Sequence, residues 1–411
     1  MIRSRGKPET GRSKIEWASR FMPVLSSIRT EFLEQKPLSG KRISATLHVT
    51  KETAVLIETL IMGGADVFLT PSNPLSTDND VAVALESSGV PVRAWRGMGE
   101  REYLEALDWA HSHDPNIIID DGADSIVRAH VNGLADRRTV FGALEETTTG
   151  VVRVKALEAE ARLRFPVIAV NEARTKNLFD NRYGTGQSTI DGIIRATSLM
   201  IAGKNIVICG YGLVGRGIAM RARGLGGRVI ITEVSPLRAL EATMEGYNVM
   251  QIQKAAEIGD LFITATGNKK VITPENILRM KGGAILANSG HFDVEVDVKG
   301  LYALATSIRE IKQEVEELSL PNGRKVILLA HGRLVNLVCA EGHPPDVMDM
   351  SFSNQALCAK FIVKNRPQKV ELMQVPQEID DKVASLKLAS MEIQIDKLSK
   401  EQEDYLNSWK V

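Results

Sequence analysis

The feature that most constrains this chain is a glycine-rich turn set between an apolar strand and a helix. Residues Ile206–Cys209 are continuously apolar and run into Gly210-Tyr211-Gly212-Leu213-Val214-Gly215, followed by a helix-like stretch, Arg216–Arg223. A second apolar strand, Val229–Thr232, ends at Glu233. In a dinucleotide-binding turn Gly210 permits the tight bend, Gly212 lets the backbone approach a pyrophosphate, and Gly215 lets helix and strand pack closely. The helix N-terminus then offers unpaired N–H groups to the phosphates. Glu233 stands where an acid accepts from a ribose 2′-hydroxyl, and its charge repels a 2′-phosphate, so NAD is favoured over NADP. Three glycines in an ordinary βα turn is the plain alternative. The flanking strands, helix and terminal acid decide against it, yet they leave the reaction open.

Apolar runs alternate with helical patterns on both sides of this turn. Ile43–Val49, Val67–Thr70, Val90–Trp95, Asn116–Asp120 and Phe165–Val170 form one set of strands. Asn205–Cys209, Arg228–Glu233, Leu261–Thr266, Ala284–Ala287 and Lys325–Ala330 form a second. Continuous apolar strands separated by helices imply parallel sheets covered on both faces. The expectation is an α/β protein with two doubly wound parallel-sheet domains and a C-terminal helical tail. Residues 1–183 and 345–370 form a substrate domain, 184–344 a Rossmann domain, and 371–411 a tail making an oligomer contact. Asn181–Gly186 suits a hinge. Met1–Arg12 reads as a disordered arm, Ser13-Lys14-Ile15-Glu16 as a capping box opening a helix with Trp17, Phe21 and Leu25 toward one side, and Pro23 as its break.

The 411 residues carry 51 Lys plus Arg against 51 Asp plus Glu, so no net field draws the chain to nucleic acid or membrane. Aromatic residues make up only 5%, too few for a base-stacking platform. Cys209, Cys339 and Cys358 form no C-x-x-C pair, which argues against a disulfide framework or a metal site. No secretory or membrane-length apolar run is present, so a cytoplasmic protein is expected.

Five polar clusters look wrong for plain structure: His48–Glu52, Asp120–Asp124, Glu145–Gly150, Asn171–Asn181 and Asn288–His291. Those starting at His48, Asp121 and Asn171 lie at or just past the ends of apolar strands, where ligands bind in open parallel sheets. Each also has a structural reading: Asp120 and Asp121 as helix caps, Glu145–Thr149 as a solvated turn, Lys176 and Asp180 as a surface pair. Their repetition at strand ends beside a cofactor turn favours function.

Taken in order, His48–Leu60, Asp120–Asp124, Glu145–Gly150, Asn171–Gly192, the glycine turn, His291–Asp297 and Gly332–Pro344 resemble S-adenosylhomocysteine hydrolases. The runs Glu145-Glu146-Thr147-Thr148-Thr149-Gly150, Phe179-Asp180-Asn181 with Tyr183-Gly184, Gly290-His291-Phe292-Asp293 and Gly332–Leu337 are the most specific. The resemblance implies a recycled NAD that oxidises the adenosine 3′-hydroxyl, which acidifies C4′ and lets homocysteine leave from C5′. Water then adds and the ketone is reduced. It also implies a homotetramer. By position, Lys176 and Asp180 would bind the 3′-hydroxyl, with Lys176 as base if burial or positive charge lowers its pKa. Asp121 would handle the C4′ proton, His48 the leaving sulfur and incoming water, with His291 nearby. Glu146 would accept from the 2′-hydroxyl, Thr50 and Glu52 would face the base, and His343 would lie at the closing hinge. Thr147, Thr148, Thr149, Asn181, Arg238, Ser289, Gly290, His291, Asn336 and His343 join Gly210, Gly212, Leu213, Val214, Gly215, Arg216, Gly217 and Glu233 on the cofactor side.

An ionised Glu52 accepts from an adenine amino group and repels a 6-oxo group, favouring an adenosyl over an inosyl substrate. Alternatively Glu52 is a first-turn acid of its helix. Three departures from the family pattern stand out. His331 replaces a glutamate, at the expected cost of a charge partner. Thr77-Asp78-Asn79 replaces Thr-Gln-Asp, and the tail ends at Trp409-Lys410-Val411 without the usual Lys and Tyr. The rival readings are an S-inosylhomocysteine hydrolase, a non-catalytic NAD-binding regulator, and an ordinary dehydrogenase that would reduce added NAD.

Overall fold

The computed structural model describes residues 6–409. Among them two sheets form in succession. The first has the order β14-β5-β4-β3-β1-β2, with β1 Lys41–Leu47, β2 Ala65–Pro71, β3 Ile117–Asp120, β4 Gly142–Glu145, β5 Val167–Ala169 and β14 Leu372–Gln374. Every pairing in it is parallel. The second has the order β11-β12-β13-β10-β9-β6-β7-β8, with β6 Asn205–Cys209, β7 Arg228–Thr232, β8 Asn248–Val249, β9 Leu261–Thr264, β10 Ala284–Asn288, β11 Ser307–Lys312, β12 Val315–Ser319 and β13 Lys325–Leu329. It is parallel from β13 to β8, and an antiparallel hairpin, β11–β12, extends one edge.

The central strands are buried on both faces: in β1 Ile43, Ala45 and Leu47 on one face and Ser44 and Thr46 on the other, and in β6 Ile206, Val207 and Ile208, are inaccessible or nearly so. In each sheet the order reverses beside the first strand of the unit. β1 lies between β2 and β3, and β6 between β7 and β9, so a crevice opens at the carboxyl ends of both pairs. His48 follows β1 and Asp121 follows β3, which puts both at the first crevice.

The two units are tied together by chain that crosses between them. The helix Thr185–Thr197 packs on the helix Leu213–Gly224, and a β-carbon on Gly186 would stand 2.5 Å from the carbonyl carbon of Gly217. Only glycine permits that approach. The chain returns through the helix Pro345–Asn365, whose Phe352, Ala356 and Ile362 join the core of the first unit.

Several expectations need correction. Of the arm read as disordered, residues 1–5 lie outside the described residues, but Pro8–Arg20 is helical. Pro8 starts it at N1, where a missing N–H costs nothing. Ser13 is therefore internal, its hydroxyl donating to the Glu9 carbonyl, and forms no capping box. Trp17 and Phe21 are exposed, while Ile15, Ala18, Met22 and Leu25 face the core. The break at Pro23 is present, as the N1 residue of a second helix, Pro23–Gln35.

Val90–Trp95 is not a strand; it makes one bridge, Leu69 with Val92, because Pro91 offers a carbonyl but no N–H. Asn181–Gly186 is a π-helical turn, Asp180–Gly184, continuous with the following helix. The polar tail contributes β14 to the first sheet's edge and the helix Gln377–Ser390; Lys410 and Val411 lie outside the described residues. The strands β4, β8 and the β11–β12 hairpin went unread, being short, glycine-led or exposed. No helix among the described residues is long and apolar enough to cross a membrane.

Candidate active site

The crevices of the two sheets open into one cavity of about 440 Å³. Its wall holds His48, Thr50, Glu52, Asp121, Glu146, Thr147, Thr148, Thr149, Lys176, Asp180, Asn181 and His343, together with Gly212, Leu213, Val214, Arg238, Ser289, Gly290, His291 and Asn336. Met348 and Phe352, which sequence reading did not single out, supply apolar wall from the helix Pro345–Asn365. Their spacing of four is that of any buried helix face, so no signal distinguished them.

On one side Asp121 stands between two imidazoles. His48 Nε2 is 3.5 Å from Asp121 Oδ2, and His291 Nδ1 is 3.8 Å from Asp121 Oδ1. His48 is oriented from behind, with Nδ1 2.6 Å from Ser76 Oγ and 3.0 Å from Ser72 Oγ. Burial pushes the His48 imidazole down to about 4, against the attraction of Asp121, so the ring is neutral near neutral pH. Burial lowers His291 as well. The ligand atoms of His48, Asp121 and His291 lie within 4.8 Å of one another, a spacing that a cation also fits.

The loop that carries Asp121 is built by acids that sequence reading left as possible caps. Asp120 accepts from the N–H groups of Asp121, at 2.9 Å, and Ile126, at 2.7 Å. Glu145 Oε1 accepts from Gly122 N and Thr147 N, both at 2.9 Å, joining the Asp121 loop to the threonine run. Glu145 is thus part of a buried strand end and not of a solvated turn.

On the other side lies Lys176, almost wholly buried. Its ammonium is 2.9 Å from Asn181 Oδ1, 3.3 Å from Asn171 Oδ1 and Asp180 Oδ1, and 3.6 Å from Glu146 Oε1. Burial alone would lower its pKa, but Asp180, Glu146 and Asp121 outweigh burial and hold it above the ordinary lysine value. The condition set for a lysine base is therefore not met by the chain alone: Lys176 is an ammonium here. Asp180 is held well below the carboxylate range, its burial overcome by Lys176 and by His343, whose Nδ1 is 3.4 Å away. Glu146 is pushed by burial up to about 7, and accepts from Gln355 at 2.5 Å and from Ser351.

The glycine turn has the shape that a dinucleotide needs. Gly210 has φ +98°, and a β-carbon there would stand 2.8 Å from the Ala265 carbonyl oxygen. A β-carbon on Gly215 would stand 2.0 Å from the Gly210 carbonyl oxygen, so helix and strand close only over glycine. Gly212, which starts the helix, faces open space with Arg238 beside it. Glu233 accepts from Tyr211, Val234 and Ser235 N–H groups. Asn336 Oδ1 is buried without a hydrogen-bond partner and borders the cavity, an atom awaiting a donor. These features fit NAD.

Gly210, Gly215 and Glu233 shape the turn from behind the wall. Arg216 and Gly217 do other work: Arg216 pairs with Glu241 over the Tyr211 ring, and Gly217 packs beneath Arg182, whose carbonyl oxygen would lie 1.8 Å from an added β-carbon. Their place on the cofactor side is an expectation of the resemblance, and these contacts brace the turn beside it.

Family models match both halves of the chain: S-adenosyl-L-homocysteine hydrolase over residues 1–136 and its NAD-binding domain over 181–342. The chain belongs to the S-adenosylhomocysteine hydrolase family. It is 58% identical to the adenosylhomocysteinase of Sulfurisphaera tokodaii, across 98% of this chain and 97% of that one. To that of Saccharolobus solfataricus it is 56% identical, across 97% and 96%. It is 55% identical to the S-inosyl-L-homocysteine hydrolase of Methanocaldococcus jannaschii, across 97% and 96%. Membership in the hydrolase family thus leaves two purine bases within reach.

Against this family's pattern, His331 has not lost its partners: its ring lies 3.4 Å from Glu314 Oε2 and 3.2 Å from Glu316 Oε2. Asp78 caps the helix Asn79–Ser87 and pairs with Lys14, and Asn79 accepts from Arg96 N, so both altered residues are engaged.

Proposed function

We propose that this protein reversibly hydrolyses S-adenosyl-L-homocysteine to adenosine and L-homocysteine, retaining NAD through each turnover. One observation carries the reading: the Lys176–Asp180–Glu146 cluster and the His48–Asp121–His291 cluster face one cavity, beside a dinucleotide turn. A ribose oxidised at one carbon and deprotonated at the next needs two such groups close together.

When bound, NAD supplies a hydride acceptor and donor and, in its oxidised form, a positive charge. Gly212, Leu213, Thr147–Thr149, Ser289 and Asn336 would hold it, with Glu233 on its adenosine ribose. Lys176 and Asp180 hold the substrate 3′-hydroxyl, and Glu146 accepts from the 2′-hydroxyl. To act as base, Lys176 must first give up a proton; the acids around it oppose that, and the positive charge of oxidised NAD would favour it. Asp121 removes the C4′ proton once C3′ is a ketone, with His48 and His291 on either side to share the charge. His48 relays the C4′ proton from Asp121, 3.5 Å away, to the departing sulfur, and relays the proton of the incoming water back to Asp121 for return to C4′. Removing the C4′ proton is what makes a thioether leave. The bound base faces Thr50 and Glu52, and a carboxylate there prefers the 6-amino group.

The same reading takes 1–183 with 345–370 as the substrate domain, to which β14 and the helix Gln377–Ser390 also belong, 184–344 as the cofactor domain, and the rest of 371–411 as an oligomer contact in a cytoplasmic homotetramer. Thiol release from S-adenosyl- and S-inosyl-homocysteine, measured with no NAD added, tests it. Preferential release from the adenosyl compound is expected. Preference for the inosyl compound would keep the mechanism and overturn the base assignment. Release from neither, even with NAD supplied, would give first place to a regulatory NAD-binding protein.

A further inference from the structure

Glu52 begins the helix Lys51–Met62, capped by the Thr50 side chain, and lies on the cavity wall with 1% of its surface exposed. Lys51, the residue before it, does not line the cavity. Its ammonium nevertheless turns back to within 3.1 Å of Glu52 Oε1 and lies equally 3.1 Å from Glu341 Oε2. Glu341 belongs to the segment linking the two units, and is itself held at 3.0 Å by Arg195 of the helix Thr185–Thr197. One cation is thereby shared between a buried carboxylate facing the ligand and an exposed carboxylate at the junction. The Lys51 side chain keeps only 12% of its surface accessible, so this pair is far less screened than a surface ion pair.

Resting on the hydrolase reading above, we propose that Lys51 is a positioning residue that sets purine specificity, by keeping Glu52 an anionic, acceptor-only group toward a 6-amino base. A buried carboxyl without a cation takes up a proton, and the acid then offers an O–H. An O–H donor is what a 6-oxo base requires, and it removes the repulsion that excludes one. The charge on Glu52, and not its shape, therefore separates the two substrates. Burial holds Glu52 above its ordinary value even against Lys51, its own backbone N–H and Thr50, so loss of the ammonium leaves little to keep the charge. Lys51 itself stays protonated, since burial is outweighed by Glu52 and Glu341. The charged groups facing the pair are thus Lys51 on the same helix turn, Glu341 on the linking segment and Arg195 behind it.

The test compares the holoenzyme with Lys51→Met and Lys51→Arg, reading kcat/KM for thiol release from S-adenosyl- and S-inosyl-homocysteine across the pH range in which each is folded. In the parent the adenosyl-to-inosyl ratio is high and nearly flat near neutral pH. In Lys51→Met the ratio falls at least about tenfold at neutral pH and recovers as pH rises and Glu52 ionises. Lys51→Arg restores it. A ratio in Lys51→Met equal to the parent's, or lowered by the same factor at every pH, overturns the proposal in favour of a packing role. A parent that prefers the inosyl compound, with the preference abolished by Lys51→Met, also overturns it and makes the ammonium a donor to the oxo group. If Lys51→Met does not fold, Lys51→Gln, which keeps length and polarity without charge, takes its place with the same readouts. Failure of the parent to release thiol from either compound counts against the hydrolase reading, separately from any result at Lys51.

Discussion

Gly122 lies directly against His291: a β-carbon built on the glycine would stand 2.5 Å from Nε2 of the imidazole. The glycine also has φ +113°, a conformation that residues with a β-carbon rarely adopt. Gly122→Ala therefore meets two obstacles at once, and the cheaper escape is rotation of His291 away from Asp121. The expected result is a kcat lower by about 100-fold, as for a misplacement of about an ångström at a reacting centre. Backbone strain adds a stability loss of about 1–3 kcal/mol. Thiol-release kinetics and a thermal melt measure the two effects. Unchanged kcat would show that His291 is not needed where it stands.

Glu145 makes a different kind of prediction, about pH. Its Oε1 clamps the Asp121 loop to the threonine run, while Oε2 is buried with no hydrogen-bond partner. Burial, with Asp120 and Asp121 nearby, raises this carboxyl well above its ordinary range. Asp120, paired opposite it in the sheet, is raised to about 8 by burial and by the neighbouring acids. Both groups keep protons in the folded state that the unfolded chain releases above about pH 4. The unfolded state thus binds fewer protons, and stability falls as pH rises from there toward about 8. Glu145→Gln keeps the accepting oxygen and removes one titrating group. Thermal melts at about pH 5 and about pH 8 should show a smaller drop than in the parent, with activity kept within about tenfold. Glu145→Ala, which releases both loops, should lose about 100-fold in kcat.

These acids also mark how far the sequence could be read. The doubly wound architecture was legible because β3, β6 and β9 are buried on both faces and so are written as near-continuous apolar runs, with only the small Ser44 and Thr46 between the apolar residues of β1. The cavity was legible wherever a polar cluster followed such a run, as at His48, Asp121 and Asn171. Glu145 and Asp120 were ambiguous because a buried loop-holding acid and a surface cap have the same local sequence. They are separated only by what packs above them, here Gly150 and Gly122. Phe352 and Met348 were hidden in an ordinary apolar helix face. Ser13 misled because its cap-like spacing competes with Pro8, which starts the helix a turn and more earlier. The Lys51–Glu341 contact joins residues almost three hundred positions apart, and no local pattern encodes it.

Lys176 is an ammonium held by Asp180, Glu146 and two asparagine oxygens. Lys176→Met removes the cation from between two buried acids, Asp180 and Glu146, so its stability needs checking alongside its rate. The expected rate loss is at least about 100-fold, the usual worth of a positioned proton-transfer group. Lys176→Arg should not restore it, since a guanidinium does not release its proton at these pH values. Release of the substrate C4′ proton to solvent should stop in both variants, because it depends on prior oxidation at C3′. Retained C4′ exchange in Lys176→Met would remove the lysine from the oxidation step.

Glu233 ends β7 with both carboxylate oxygens turned to backbone N–H groups, at 2.7 Å from Tyr211 and Val234 and 3.0 Å from Ser235. Burial would raise its pKa, but those amides and Arg238 lower it below the ordinary value, so the group is an anion near neutral pH. Its remaining lone pairs are free to accept from a ribose 2′-hydroxyl, and its charge opposes a 2′-phosphate. Glu233→Gln keeps an acceptor for the amides and removes the charge. On protein stripped of cofactor, NAD binding should weaken by about tenfold, a hydrogen bond to a charged group being replaced by a neutral one. NADP binding should weaken less or strengthen, because the repulsion goes with the charge while Arg238, beside Gly212, stays. Titration with both cofactors measures the ratio. An equal loss for NAD and NADP would mean that Glu233 only braces the turn, leaving cofactor choice to other residues.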